Sequence, residues 1–154
     1  MRRFVLLLMV VGTVLTTTVL VATSSSPKGE CSATTTLNVS CSVSCEDKNF
    51  SCDASVFYLK CRCGEEYGKI EIPEQTIKSL KEFTYMCHTE LQSKEAKKIA
   101  ELTAKYLHHA IKNNPKEVER IGKQIELLLL ALPSNEKKKV LEFFRAHGFE
   151  KAEF

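Results

Sequence analysis

The chain has 154 residues, 44% hydrophobic and 27% charged, a length and balance that suit one ordinary globular domain or two very small ones. Arg2 and Arg3 carry two of the three net positive charges; from Pro27 to Cys63 four basic residues meet four acidic ones, and from Gly64 onward sixteen meet fifteen. A body this close to neutral argues against a nucleic-acid binder, which would show a basic patch or stripe, and the composition excludes an acidic disordered tail and a collagen-like fibre.

Met1-Arg2-Arg3 precedes an apolar run from Phe4 to Ala22, interrupted only by Gly12, Thr13 and Thr16 to Thr18, and then Thr23-Ser24-Ser25-Ser26. A positive start, an apolar stretch and a small-residue exit make a secretory signal. Ala22 and Ser24 fill the two small positions before a cut, so residues 1–24 are expected to be a signal peptide cleaved between Ser24 and Ser25. The competing expectation is an uncleaved anchor over residues 4–22, because the run approaches the ~20 residues that span a bilayer as a helix. Cys31 stands behind Pro27-Lys28-Gly29-Glu30 rather than directly after the run, so a lipidated cysteine is not expected. Either way the remainder is expected to be exported: secreted, periplasmic or surface-exposed.

Six of the seven cysteines, Cys31, Cys41, Cys45, Cys52, Cys61 and Cys63, fall within residues 31–63, and Cys87 lies well apart. In an oxidising compartment this density reads as a disulfide framework. The surrounding segment is rich in Ser, Thr and Asn, with Val43, Phe50, Val56, Phe57, Tyr58 and Leu59 as its few large apolar residues. A piece so poor in core needs covalent help to fold. Residues 25–70 are therefore expected to form a small cysteine-rich, disulfide-stapled module with all three bridges inside it, in one of the many pairings six cysteines allow. Cys87 is expected as a free, buried thiol; the alternative is a bridge from Cys87 to the module. Zinc would need two ligand pairs with two to four residues between members. Cys41-x3-Cys45 fits that rule, Cys61-x-Cys63 is too tight, and no histidine lies in the cluster. A thioredoxin-like Cys-x-x-Cys is absent.

From Cys41 the spacing runs Cys41-x3-Cys45-x6-Cys52-x8-Cys61-x-Cys63, followed by Gly64-Glu65-Glu66-Tyr67-Gly68. This resembles the first five cysteines of an epidermal-growth-factor-like module, where a glycine and an aromatic residue follow the Cys-x-Cys pair. The resemblance covers under a fifth of the chain. It implies Cys87 as sixth cysteine and leaves Cys31 over, and no function is carried across from it. The same segment holds two N-glycosylation triplets, Asn38-Val39-Ser40 and Asn49-Phe50-Ser51, which a eukaryotic host would be able to use.

After the cysteines the composition shifts to Lys, Glu, Leu, Ile and Ala, with helical apolar spacing over residues 71–154. Pro73 opens a first helix with Ile77, Leu80, Phe83, Thr84, Cys87 and Leu91 inward. Ser93 caps a second, with Ala96, Ile99, Ala100, Thr103, Tyr106, Leu107, Ala110 and Ile111 inward, stopped by Asn113-Asn114-Pro115. Pro115 begins a third, with Val118, Ile121, Ile125, Leu128, Leu129 and Leu132 inward. Ser134 or Asn135 caps a fourth, where Val140, Leu141, Phe144 and His147 face the core and Gly148 is the stop. Short turns predict an antiparallel bundle of about four helices. The expected fold is thus a disulfide-rich module followed by an all-α bundle, mostly α overall. Leu127 to Leu130 cannot all face one side of a helix, and a central helix packed on two sides is the expectation. The sharper alternative sets Leu127 and Leu130 against the cysteine module, another subunit or lipid.

Catalytic motifs are missing. The histidines His88, His108, His109 and His147 form no His-Glu-x-x-His. His108 and His109 point about a hundred degrees apart on a helix, although Cys87, His88 and one of them lie on neighbouring predicted helices. No nucleophile turn or phosphate loop occurs. Glu65, Glu66, Glu71, Glu74, Glu101, Glu117, Glu119, Glu126 and Glu136 alternate with lysines and are expected on solvated faces. The expected function is that of an exported, non-enzymatic protein presenting a binding surface to an unknown protein or surface ligand. No cofactor, metal or nucleic acid is expected, and membrane contact is expected only through an uncleaved N-terminal segment. The alternatives are a membrane-active toxin or effector using the amphipathic helices, and an exported metal-binding or thiol-redox protein.

Overall fold

Strand side chains alternate between two faces, and the cysteine segment carries that alternation. Cys41-Ser42-Val43-Ser44-Cys45 places Cys, Val and Cys on one face and serines on the other; Leu59-Lys60-Cys61-Arg62-Cys63 does the same with Lys and Arg outside. In the computed structural model, which describes residues 29–46 and 49–154, these stretches are strands. The expected signal peptide, its cut and the anchor over residues 4–22 lie outside the described residues.

The strands are β1 (Gly29–Thr34), β2 (Ser40–Cys45), β3 (Phe50–Ala54), β4 (Leu59–Cys63), β5 (Glu66–Tyr67) and β6 (Lys69–Glu71). They make two three-stranded sheets, ordered β1-β2-β6 and β3-β4-β5, with antiparallel pairing throughout. All three disulfides cross between the sheets. Cys31–Cys52 ties β1 to β3, while Cys41–Cys61 and Cys45–Cys63 tie β2 to β4. The Cys61-x-Cys63 spacing that defeats a zinc pair is the one that sets two sulfurs on the same face of a strand. Cys31 is bridged and Cys87 is a free thiol, so the growth-factor-like arrangement, which needs the reverse, is not formed. Gly68 marks the passage from one sheet to the other. Its N–H donates to the Cys61 carbonyl at 2.8 Å, and a Cβ there would overlap the Ser42 carbonyl.

Four helices follow: α1 (Glu74–Thr89), α2 (Lys94–Ile111), α3 (Pro115–Ala131) and α4 (Ser134–Ala146). Helix accounts for 52% of the described residues and strand for 22%, so the helical majority is joined by a β layer that helical and disulfide patterns alone do not predict. The end signals act as expected at α2, whose Ser93 hydroxyl accepts from the Ala96 N–H at 3.1 Å, and at α3, which starts at Pro115 with Asn114 as its cap. Asn113, with φ 53°, ends α2 and accepts the Ile70 N–H on its Oδ1 at 2.7 Å, which fixes β6 against the helices. Two boundaries differ. Pro73 is the cap of α1 rather than its first residue, and Pro133 rather than Ser134 or Asn135 is the cap of α4; outside a helix a proline's lack of an N–H costs nothing.

One hydrophobic core takes residues from both the strands and the helices, and β6 straddles position 70. The β3–β4 turn drives into it. Phe57, at the tip, is 0% exposed. Its ring lies 6.1 Å from Phe83 of α1, 5.7 Å from Tyr106 of α2 and 6.1 Å from Phe144 of α4. α3 reaches the same turn through Gly122, where a Cβ would collide with the Phe57 carbonyl. Most expected inward positions are buried. Ile111, the last residue of α2, is not, at 57% exposure; Ile77, Thr84, Leu128, Leu141 and His147 are half-buried. Met86, Thr76 and Ser79 fill the α1 face beside Leu80 and Phe83.

Candidate functional site

Three glutamates expected on solvated faces are instead structural docks. Glu126 of α3 accepts on Oε1 from the Phe57 N–H at 2.8 Å, the Tyr58 N–H at 2.9 Å and the Ser55 hydroxyl. Those turn N–H groups have no strand partner, and an unpaired buried N–H would cost ~1–3 kcal/mol; the carboxylate replaces the missing acceptor. Glu119 holds Arg62 of β4 at 2.9 Å, and the guanidinium lies 4.4 Å above the Tyr67 ring. Both partners of that pair are partly exposed, so it positions β4 on α3 more than it stabilises the chain.

Glu136, the third, is 7% exposed. It accepts from the Gln92 N–H at 2.9 Å, the Ser93 N–H at 3.1 Å and the Ser93 hydroxyl, joining the α1–α2 turn to the start of α4. Burial opposes its ionisation, but the Ser93 hydroxyl and the two amides outweigh burial and hold the carboxyl below its ordinary range. A depressed folded-state value contributes stability that is present above the unfolded carboxyl's titration range and is lost as pH falls through the folded one. Glu136→Gln is therefore expected to lower stability by about 1–3 kcal/mol at neutral pH and to flatten the acid limb of the stability curve. Urea unfolding between pH 3 and pH 7 reads both; parallel acid limbs for the variant and the parent would refute the assignment.

Cys87 lies fully buried on α1. Burial, and then the nearby charge of Glu136, push its thiol up to about 12. Thiolate is the reactive form, so native protein is expected to resist alkylation at pH 8 and to take up one label per chain once unfolded. Fast labelling of native Cys87, followed by mass spectrometry, would contradict that burial.

The histidines do not converge. His88 is exposed while its neighbour Cys87 points into the core. The His108 and His109 rings stand perpendicular, 5.3 Å apart. His147 stacks on Phe143 at 3.9 Å, and its ring nitrogens approach the Phe143 carbonyl and Glu82 Oε2, each at 2.8 Å. Among the described residues no group of three or more His, Cys, Asp or Glu is arranged to hold a metal ion, and no helix is long and apolar enough to cross a membrane.

The leucine run corrects the two-sided packing expected of it. Leu129 is buried and Leu128 half-buried, but Leu127 is 60% exposed and Leu130 57%. Three residues apart on α3, they share one outward face. With Phe50, Tyr85 and Ile111 they are the exposed large apolar side chains among the described residues. A shallow groove between the start of α1 and the end of α2 is lined by Ile77, Ile111, Lys78, Lys81 and Glu74. Asn38 and Asn49 are both exposed, the first in the β1–β2 turn and the second just before β3. The sequence signal for the Glu126 and Glu136 docks is absent locally, since their partners are 69 and 43 residues away. No family model, curated protein or solved structure matches the chain.

Proposed function

We propose that this is an exported, non-enzymatic protein that works by presenting a surface to a partner, with Leu127 and Leu130 at the centre of that surface. Three disulfides crossing between two sheets suit an oxidising location, and that observation supports export. The leucine pair carries the binding part of the reading: solvated leucines on the outward face of α3 lose free energy in water, and a partner that covers them recovers it. The absence of catalytic motifs supports the non-enzymatic part.

The test compares the exported protein with a Leu127→Ser, Leu130→Ser variant by chemical cross-linking in the native medium. Both substituted side chains are solvated, so the variant is expected to keep its thermal midpoint and its three bridges while losing a defined cross-linked species. Identical cross-linking patterns would overturn the leucine surface. A hydrolytic activity that follows the purified protein would overturn the non-enzymatic reading, and leakage of anionic vesicles at micromolar protein, lost in the variant, would replace the partner with lipid.

A further inference from the structure

We propose that Asn38 and Asn49 are acceptors of N-linked oligosaccharide, a modification that rests on the export reading above and adds a chemistry to it. Both head an Asn-x-Ser triplet whose middle residue is not proline, Asn38-Val39-Ser40 and Asn49-Phe50-Ser51.

The β1–β2 turn presents Asn38 outward by construction. Leu37 and Val39 on either side are fully buried. The Asn38 N–H donates to the Thr35 carbonyl at 2.9 Å, and the Val39 N–H to the Thr35 hydroxyl at 3.0 Å. The backbone is thereby used up inside the turn, while the Asn38 carboxamide is exposed and makes no hydrogen bond among the described residues. Asn49 has the same division of labour. Its carbonyl accepts the Gly64 N–H at 3.1 Å, its side chain is exposed, and Ser51 is exposed two residues on. The two acceptors stand beyond opposite ends of β2.

Asn38 has a rival explanation: its φ of 61° is a left-handed conformation that asparagine tolerates better than most residues. That explanation needs the asparagine alone, whereas the modification also needs the hydroxyl of Ser40. In the transfer, the C1–O bond joining the sugar to a lipid-linked diphosphate breaks and the diphosphate leaves with the bonding electrons. A C1–N bond forms to the carboxamide nitrogen, which gives up one proton. Nothing is oxidised or reduced.

The experiment takes the full chain from the exported fraction of its own host, with Ser40→Ala and Ser51→Ala variants. Peptide N-glycosidase in heavy-oxygen water converts each glycan-bearing asparagine to a labelled aspartate. Labelled Asn38 and Asn49 are expected in the parent, with each serine variant losing the label at its own site only and keeping three disulfides. A bridged, exported protein with an unlabelled asparagine overturns the assignment at that position while leaving export intact. A chain recovered with its cysteines reduced overturns both.

Discussion

Replacing Phe57 with alanine is expected to remove about 3–5 kcal/mol of stability, the range for deleting a fully buried aromatic ring. Whole domains of this size are stable by only ~5–15 kcal/mol, so the loss should be plain in urea denaturation. The size follows from what the ring touches: Phe83, Tyr106 and Phe144 on α1, α2 and α4, with α3 held against the Phe57 backbone at Gly122. Alanine leaves a cavity that α3 cannot close, because Glu126 fixes the Phe57 and Tyr58 amides in place. Phe57→Leu, which keeps most of the bulk, should lose less. If the strands and helices unfold as one unit, near-ultraviolet and far-ultraviolet circular dichroism will shift together. A loss under about 1 kcal/mol would mean that the turn is not the joint between the two layers.

That joint was out of reach of pattern reading, for a definite reason. Helical periodicity is a local property, and Ile99, Ala100, Thr103, Tyr106 and Leu107 announce a buried face from spacing alone. A hairpin tip is ordinarily solvated, so Ser55-Val56-Phe57-Tyr58 carries no local mark that its aromatic residue belongs to a core built by residues 80 to 144. The glutamates teach the same point from the polar side. Glu126 and Glu136 sit among lysines like Glu101 and Glu117, and only the distant amides they receive separate docks from surface. The strands were legible in principle. Their inward positions are filled by cysteine and valine, and the alternation with serine reads as strand once spacing is taken as a period rather than as a ligand pattern. The exposure of Leu127 and Leu130 depends on where α3 lies relative to its neighbours, which no single-helix pattern contains.

Reduction of the three disulfides is expected to cost the chain most of its stability. Each bridge closes a loop with a sequence separation of 18 to 21 residues, and restricting an unfolded loop of that size contributes about 3 kcal/mol in the chain-entropy account. Three such terms approach the whole stability of an ordinary domain, and the sheets have little else inside: apart from Cys41, Cys45 and Cys61, their buried apolar residues are few. The effect cannot stay in the sheets, because their turn supplies Phe57 to the helices. Reduced protein should therefore lose near-ultraviolet signal and cooperative unfolding even where helical signal persists, the pattern of a chain that has kept secondary structure without fixed packing. Attack by an external thiolate requires access to sulfur, so the half-buried Cys31–Cys52 bridge should open before the buried Cys41–Cys61 bridge. Timed alkylation during reduction, read by peptide mass, gives that order, and denaturation of the fully reduced chain gives the cost. An unchanged denaturation midpoint after complete reduction would show that the packing around Phe57 sustains the fold alone, and that the bridges serve resistance to the exported environment rather than stability.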